Sequence, residues 1–223
     1  MNHPFSHYAI LAELFVYPDE HYADRVRSAQ KLLGKKYPDA AARLEPFSSF
    51  MSQASIFRMQ ELYLRTFDVQ AITTLDIGYV LFGDEYKRGA MLVHLNNEHA
   101  QVDNPCHNEL ADHLPNVLRL LPLLKDDDFR EELIDRIIAP ALRKIINEFS
   151  LDKIDQKEKV YLKHHKTLIE GAAPDGTLYR HLVTALYTVI QNDFRLSTEK
   201  VTETSSVFLK GIGTEIRLEA EDA

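Results

Sequence analysis

The sequence predicts an all-α protein that forms a single-domain bundle of about eight to ten helices. Apolar residues recur three and four positions apart along most of the chain, which is the pattern of helices buried on one face. The strict alternation of a half-buried strand does not persist over a strand's length before the C-terminal tail. With 223 residues and 45% hydrophobic content, the chain is long enough to bury a stable core without disulfides.

The composition excludes several functions. The chain has 26 basic and 34 acidic residues and a formal net charge of −8, so we expect no nucleic-acid partner. Charged residues interrupt every apolar run, so we expect no direct insertion into a membrane. The single Cys106 cannot form a disulfide within the chain, and the N-terminus lacks the pattern of a secretory signal. The expected location is therefore the reducing cytoplasm.

Proline and glycine divide the N-terminal part of the chain into three predicted helices. Because the residue before a proline is disfavoured in the helical region, Tyr17-Pro18 ends the first helix. Gly34 and Pro38 separate the second helix from the third. The predicted helices are residues 5–16, a second one ending near Leu33, and residues 39–51.

A fourth helix is predicted from an apolar face that spans three turns. Asp68 lies just past the last turn of this helix. Tyr63 and Phe67 are i,i+4 neighbours, so they are either ordinary core residues or a wall of a binding surface. The apolar face consists of Ile56, Met59, Tyr63 and Phe67.

A fifth and a sixth helix follow. The fifth is predicted over residues 73–82 and ends at Gly83, a residue that readily adopts the positive φ found after helices. Asp84 is then predicted to cap a sixth helix that runs toward Gln101. Gly89 would allow another helix to pack closely on it. Residues 102–108 form a polar loop.

The entrance to the seventh helix is the most informative stretch of the chain. Here Asp112 and His113 directly precede Pro115, which is acceptable only in a first helical turn. The helix is therefore predicted to begin near Asp112, whose carboxylate can cap it. Exposed N–H groups and an imidazole at such an entrance could also bind a partner's backbone. Capping and recognition are compatible.

The C-terminal third is predicted to contain more helices and a tail. Asp126-Asp127-Asp128 favours a helix start, and Pro140 bends or breaks the helix that follows, which continues through Phe149. After a charged linker at residues 152–159, two helices at residues 158–170 and 178–194 flank a turn at residues 171–176. We assign residues 1–196 to the helical domain and residues 197–223 to a mobile or loosely docked tail.

Four histidines in the middle of the chain raise an alternative function, a helical metal-dependent enzyme. The spacing does not support it, since the Glu-x-x-His and His-Glu-x-x-His motifs of helical metal sites are absent. We therefore predict no bound metal, no cofactor and no catalytic residue. The histidines concerned are His94, His99, His107 and His113.

Four short segments together resemble the nitrate reductase delta subunit (NarJ-type) assembly chaperones, within the TorD/DmsD group of redox-enzyme maturation proteins. The resemblance covers about residues 5–150 and includes Ile138-Ala139-Pro140. In chain order, the segments are Leu14-Phe15-Val16-Tyr17-Pro18-Asp19, Tyr63-x-x-x-Phe67-Asp68, Gly83-Asp84-Glu85-x-x-Arg88-Gly89-x-Met91 and Glu109-Leu110-x-Asp112-His113-Leu114-Pro115.

This resemblance implies a TorD/NarJ-like chaperone that is not an enzyme. Its partner would be the catalytic subunit of a molybdoenzyme, nitrate reductase or a related member of the dimethyl sulfoxide reductase family, bound through its N-terminal peptide until molybdenum cofactor is inserted. Molybdenum cofactor biosynthesis proteins are further expected partners, and the chaperone would be a monomer or a weak dimer. The implied partner-binding residues are Glu109, Asp112, His113, Leu114, Pro115, Tyr63, Phe67, Asp68, Arg88 and Gly89.

Overall fold

The computed structural model describes residues 4–150, 152–154, 175–194 and 196. Within these residues the chain forms ten α-helices and one π-helical turn, and its only β-type pairing is an isolated bridge, so the predicted all-α fold is confirmed. The helices are α1 His7–Ala12, α2 Tyr22–Lys36, α3 Pro38–Gln53, α4 Ile56–Phe67, α5 Ile77–Phe82, α6 Tyr86–Gln101, α7 Leu114–Leu120, α8 Asp127–Leu133, α9 Ala139–Glu148 and α10 Leu178–Asp193.

One continuous apolar core joins these helices. Helix α3 packs against α2 and α10, α1 packs against α7, and α9 packs against both α5 and α10. None of the helices in the described ranges is long and apolar enough to cross a membrane.

The first two helix boundaries differ from those predicted. Helix α1 ends at Ala12, and the chain continues in turns toward Tyr17. Helix α2 runs through Gly34 to Lys36, because an exposed glycine costs a helix only about 1 kcal/mol. The break falls instead at Tyr37, directly before Pro38, and the proline begins α3, where its missing N–H is not needed.

In the middle of the chain the predicted elements are present with some changed ends. Helix α4 begins after Ser55, whose hydroxyl accepts a hydrogen bond from the N–H of Arg58, and ends just before Asp68, as predicted. Helix α5 ends at Gly83, which has a φ of +63°. The expectation that Asp84 caps α6 is wrong, because Glu85 holds the N-cap position and makes no side-chain capping bond.

Pro140 changes the helix around it without breaking it. Asp126 caps α8 by accepting a hydrogen bond of 3.0 Å from the N–H of Phe129, which confirms the predicted helix start. Because Pro140 has no N–H, the carbonyl of Arg136 loses its usual α-helical donor. The backbone widens into a π-helical turn over Ile134–Ile138, and α9 follows directly.

Polar side chains connect the N-terminal helices to the end of α10. Asp193 at the end of α10 accepts hydrogen bonds from Tyr8 and Tyr37 and lies 2.7 Å from Nε2 of His7. Helix α10, Leu178–Asp193, matches the predicted span of residues 178–194 to within one residue. The predicted helix at residues 158–170, most of the linker and of the turn beside it, and the tail at residues 197–223 lie outside the described residues.

Candidate functional site

Four charged or titratable side chains meet where α5, α6 and α7 come together. The Arg88 Nε donates to Oδ2 of Asp112 at 3.0 Å, and the Arg88 Nη2 donates to Oδ2 of Asp76 at 3.0 Å. The other oxygen of Asp76 lies 3.0 Å from Nδ1 of His113. We call these four residues the ion cluster. Three of them were predicted site residues, and the structure brings them together.

A short backbone pairing builds the ion cluster. The N–H of Ile77 donates to the carbonyl of Asp112 at 3.1 Å, and the N–H of Leu114 donates to the carbonyl of Leu75 at 2.8 Å. These bonds form an isolated antiparallel bridge between Asp76 and His113. Because residues 75–77 take part in this bridge, α5 begins at Ile77 and not near Thr73 as the sequence predicted.

The structure corrects the role expected for Asp112. Helix α7 begins at Leu114 with His113 in the N-cap position, so Asp112 does not cap it. The Asp112 side chain is 0% exposed and faces Arg88. Leu114 and Pro115 are buried as well. As placed, Asp112, Leu114 and Pro115 support the site from within and do not lie on its surface.

Gly78 in α5 allows the ion cluster to form. A Cβ atom at this position would lie 2.6 Å from Oδ2 of Asp112 and 2.2 Å from Cε of Met91. The close packing expected at Gly89 is wrong, because Gly89 is exposed and a Cβ there would meet nothing within 4 Å. Sequence patterns alone do not distinguish these two helical glycines.

Contacts within the ion cluster shift the pKa values of two of its members. The hydrogen bond from His113 is the largest influence on Asp76 and lowers the pKa of that carboxyl, against the opposing effect of burial. Burial acts to lower the pKa of Arg88, but the carboxylates of Asp112 and Asp76 outweigh it and raise that pKa. The guanidinium therefore stays charged, and the imidazole shares a carboxylate with it.

The exposed side of the site carries apolar and acidic groups. The ring of Tyr79 is 44% exposed, and the guanidinium of Arg88 lies 5.3 Å from its centroid. Leu110, three residues before His113, is 48% exposed. The exposed Glu109 places Oε2 3.9 Å from Nδ1 of His113. This surface combines apolar contact area with negative charge.

The predicted wall at Tyr63 and Phe67 is a half-buried aromatic cluster. Tyr63 meets Phe67 edge-on with ring centroids 5.1 Å apart, and its hydroxyl donates to the carbonyl of Phe15. Burial raises the pKa of Tyr63, and the negative charges of Glu109, Asp68 and Asp76 raise it further. The aromatic cluster therefore lies within electrostatic reach of the ion cluster. Asp68 itself is exposed.

A second polar network, which the sequence did not reveal, supports the loop before α7. His99 places Nε2 3.1 Å from the carbonyl of Ala111, and the amide of Asn104 lies 2.8 Å from Nδ1 of the same ring. The amide of Asn116 donates to the carbonyl of Leu110 at 3.0 Å. Such residues look like ordinary polar positions in a sequence, since only the fold shows that they are buried.

The histidine region does not assemble a metal site in the part of the chain that the structure describes, where no three His, Cys, Asp or Glu residues are grouped to hold an ion. His99 is committed to its network and His113 to Asp76. Cys106 is half-buried, and burial raises the pKa of its thiol. These residues therefore provide no set of metal ligands for the alternative function, a metal-dependent enzyme.

Comparisons with known proteins give no independent assignment: no protein-family model matches the chain, and no curated protein matches it.

Proposed function

We propose that this protein is a cytoplasmic assembly chaperone, not an enzyme, for a molybdoenzyme of the nitrate reductase or dimethyl sulfoxide reductase class. It binds the N-terminal segment of the catalytic subunit and holds that subunit until molybdenum cofactor is inserted. The observation that carries this proposal is the ion cluster. Two segments of the family resemblance, the one containing Arg88 and the one containing Asp112 and His113, meet in one network.

The surface beside the ion cluster supports a binding role. Peptide segments are recognised by apolar contact areas bordered by polar groups. Here Tyr79 and Leu110 are each more than two-fifths exposed. Glu109 precedes Leu110 in the chain and places Oε2 3.9 Å from Nδ1 of His113. The charged groups beneath this surface are paired with one another, so they hold its geometry.

Calorimetry with synthetic peptides tests the proposal. The peptides should span the N-terminal segments of catalytic subunits from several molybdoenzyme classes, with a scrambled version of each as the control. We expect micromolar or tighter binding of at least one peptide, which corresponds to about −8 kcal/mol. Burial of apolar surface should also give a negative heat-capacity change. An absence of binding to every peptide would argue strongly against this function.

A further inference from the structure

The loop that leads into α7 is fixed by buried side chains. The amide of Asn104 contacts both Nδ1 of His99 and the carbonyl of Asn116, and the amide of Asn116 reaches the carbonyls of Cys106 and Leu110. Because Nδ1 of His99 accepts a hydrogen bond from Asn104, the neutral ring must carry its proton on Nε2 and donate it to the carbonyl of Ala111. His99, Asn104 and Asn116, here called the loop lattice, are all buried.

The loop lattice, the N–H of Ile77 and the first turn of α7 together bond the backbone of residues 110–113. The carbonyls of Leu110 and Ala111 accept from the loop lattice, the carbonyl of Asp112 accepts from Ile77, and the carbonyl of His113 accepts from the first turn of α7. Every carbonyl from residue 110 to residue 113 therefore has a donor. The carbonyls of this loop are therefore paired as those of a regular element are.

The hydrogen-bonded loop carries an exposed apolar residue, Leu110. Leu110 is 48% exposed. Its backbone carbonyl accepts hydrogen bonds from the N–H of His113 and from the side-chain amide of Asn116. A contact residue held rigidly before binding loses little conformational freedom when a partner docks, and the affinity rises accordingly. Scattered exposed leucines are common, but the carbonyl of this one is bonded by the buried Asn116, whose own carbonyl accepts from the buried Asn104.

We propose that Leu110 is an anchor residue for the client peptide and that His99, Asn104 and Asn116 are positioning residues that hold it in place. This inference rests on the proposed chaperone function and adds a contact residue and its support to it. The part of the client peptide that contacts Leu110 is an apolar side chain. Leu110 touches the peptide, and the three buried residues act only through the loop.

Leu110→Ala tests the anchor, with Leu123→Ala as its matched control, since Leu123 is a similarly exposed leucine at 43% in the turn after α7. Calorimetry uses the full chain and the synthetic peptide that binds the unaltered protein. Leu110→Ala should weaken binding about tenfold, as expected when an interface anchor is truncated. Leu123→Ala should leave the affinity unchanged. Equal affinities of the two variants would overturn the anchor role.

Asn116→Ala tests the positioning role through a double-mutant cycle. It should weaken peptide binding when Leu110 is present and have little effect when combined with Leu110→Ala. Amide hydrogen exchange should meanwhile accelerate at residues 110–113. If Asn116→Ala does not fold, Asn104→Ala takes its place, because it removes contacts to His99 and Asn116 and none to Leu110 itself. Additive losses in the cycle would overturn the positioning role.

These outcomes are separable from failure of the proposed function. If the unaltered protein binds no client peptide, the chaperone function fails, and the anchor role falls with it. If the unaltered protein binds a peptide and Leu110→Ala binds it equally well, only the further inference is overturned. If the peptide binds and only Leu110→Ala weakens it, both are supported.

Discussion

Asp76 and His113 are joined twice, by an antiparallel backbone bridge and by a contact of 3.0 Å between Oδ1 and Nδ1. Asp76 directly precedes α5, and His113 directly precedes α7. The entrances of two helices, far apart in sequence, are thereby fixed to each other. A change that loosens the entrance of one helix should therefore also loosen the entrance of the other.

The first prediction compares the two helical glycines near the ion cluster. Gly78→Ala should destabilise the protein by about 1–3 kcal/mol, the usual cost of forcing a methyl group into a packed interior. The added Cβ would press on Met91 and Asp112. Gly89→Ala should instead stabilise it by about 0.5–1 kcal/mol, because alanine is the better helix former and the position is open. Urea unfolding of both variants measures the difference, and equal effects would contradict this packing.

The second prediction concerns the buried charge of Asp112. Asp112→Asn should lower the free energy of unfolding by about 1.5–3 kcal/mol, because Arg88 loses a charged hydrogen-bond partner in a buried site. The matched control is Asp68→Asn, an exposed aspartate that should change stability by less than about 0.5 kcal/mol. Chemical denaturation provides both values. A loss at Asp112 no larger than that at Asp68 would show that the ion pair contributes nothing.

The element types could be predicted from the sequence because they depend on local patterns. Helix α4 and the helix start at residues 126–128 need only neighbouring residues, and both are confirmed, although the buried positions of α4 are Met59, Leu62 and Thr66. Asp76 and Gly78 could not be predicted as site residues, because their roles depend on contacts with His113 and Asp112 respectively, each more than thirty positions away. Helix spacing likewise cannot show that the entrance of α5 pairs with another segment, so that the helix begins at Ile77, four residues later than predicted.

The third prediction is a pH dependence of stability caused by His99. Burial lowers the pKa of this histidine, so its ordinary value of about 6.5 applies only to the unfolded chain. The unfolded state therefore binds the proton more readily than the folded state, and stability falls as the pH drops below about 6.5 toward the lower folded pKa. Above that pH the contribution is complete.

His99→Gln tests this dependence, because glutamine can still donate to the carbonyl of Ala111 but does not titrate. The variant should lose part of the decline in stability between about pH 7 and pH 5, the range in which histidine titrates. His21→Gln, at an exposed position before α2, should follow the unaltered protein. Thermal melting of the unaltered protein and both variants across this pH range measures the dependence. Parallel pH profiles for all three proteins would assign the decline to other groups.

The last prediction separates recognition from folding at His113. His113→Ala removes the imidazole but keeps the backbone bridge, whose bonds involve only main-chain atoms of neighbouring residues. The variant should remain helical by circular dichroism and yet reduce maturation of the client enzyme strongly in a strain that lacks the unaltered copy. His107→Asn is the control, since His107 is exposed in the same loop at a φ of +54°, which asparagine tolerates. Full client activity with folded His113→Ala would place the binding site elsewhere, with the Tyr63 and Phe67 face as the next surface to test.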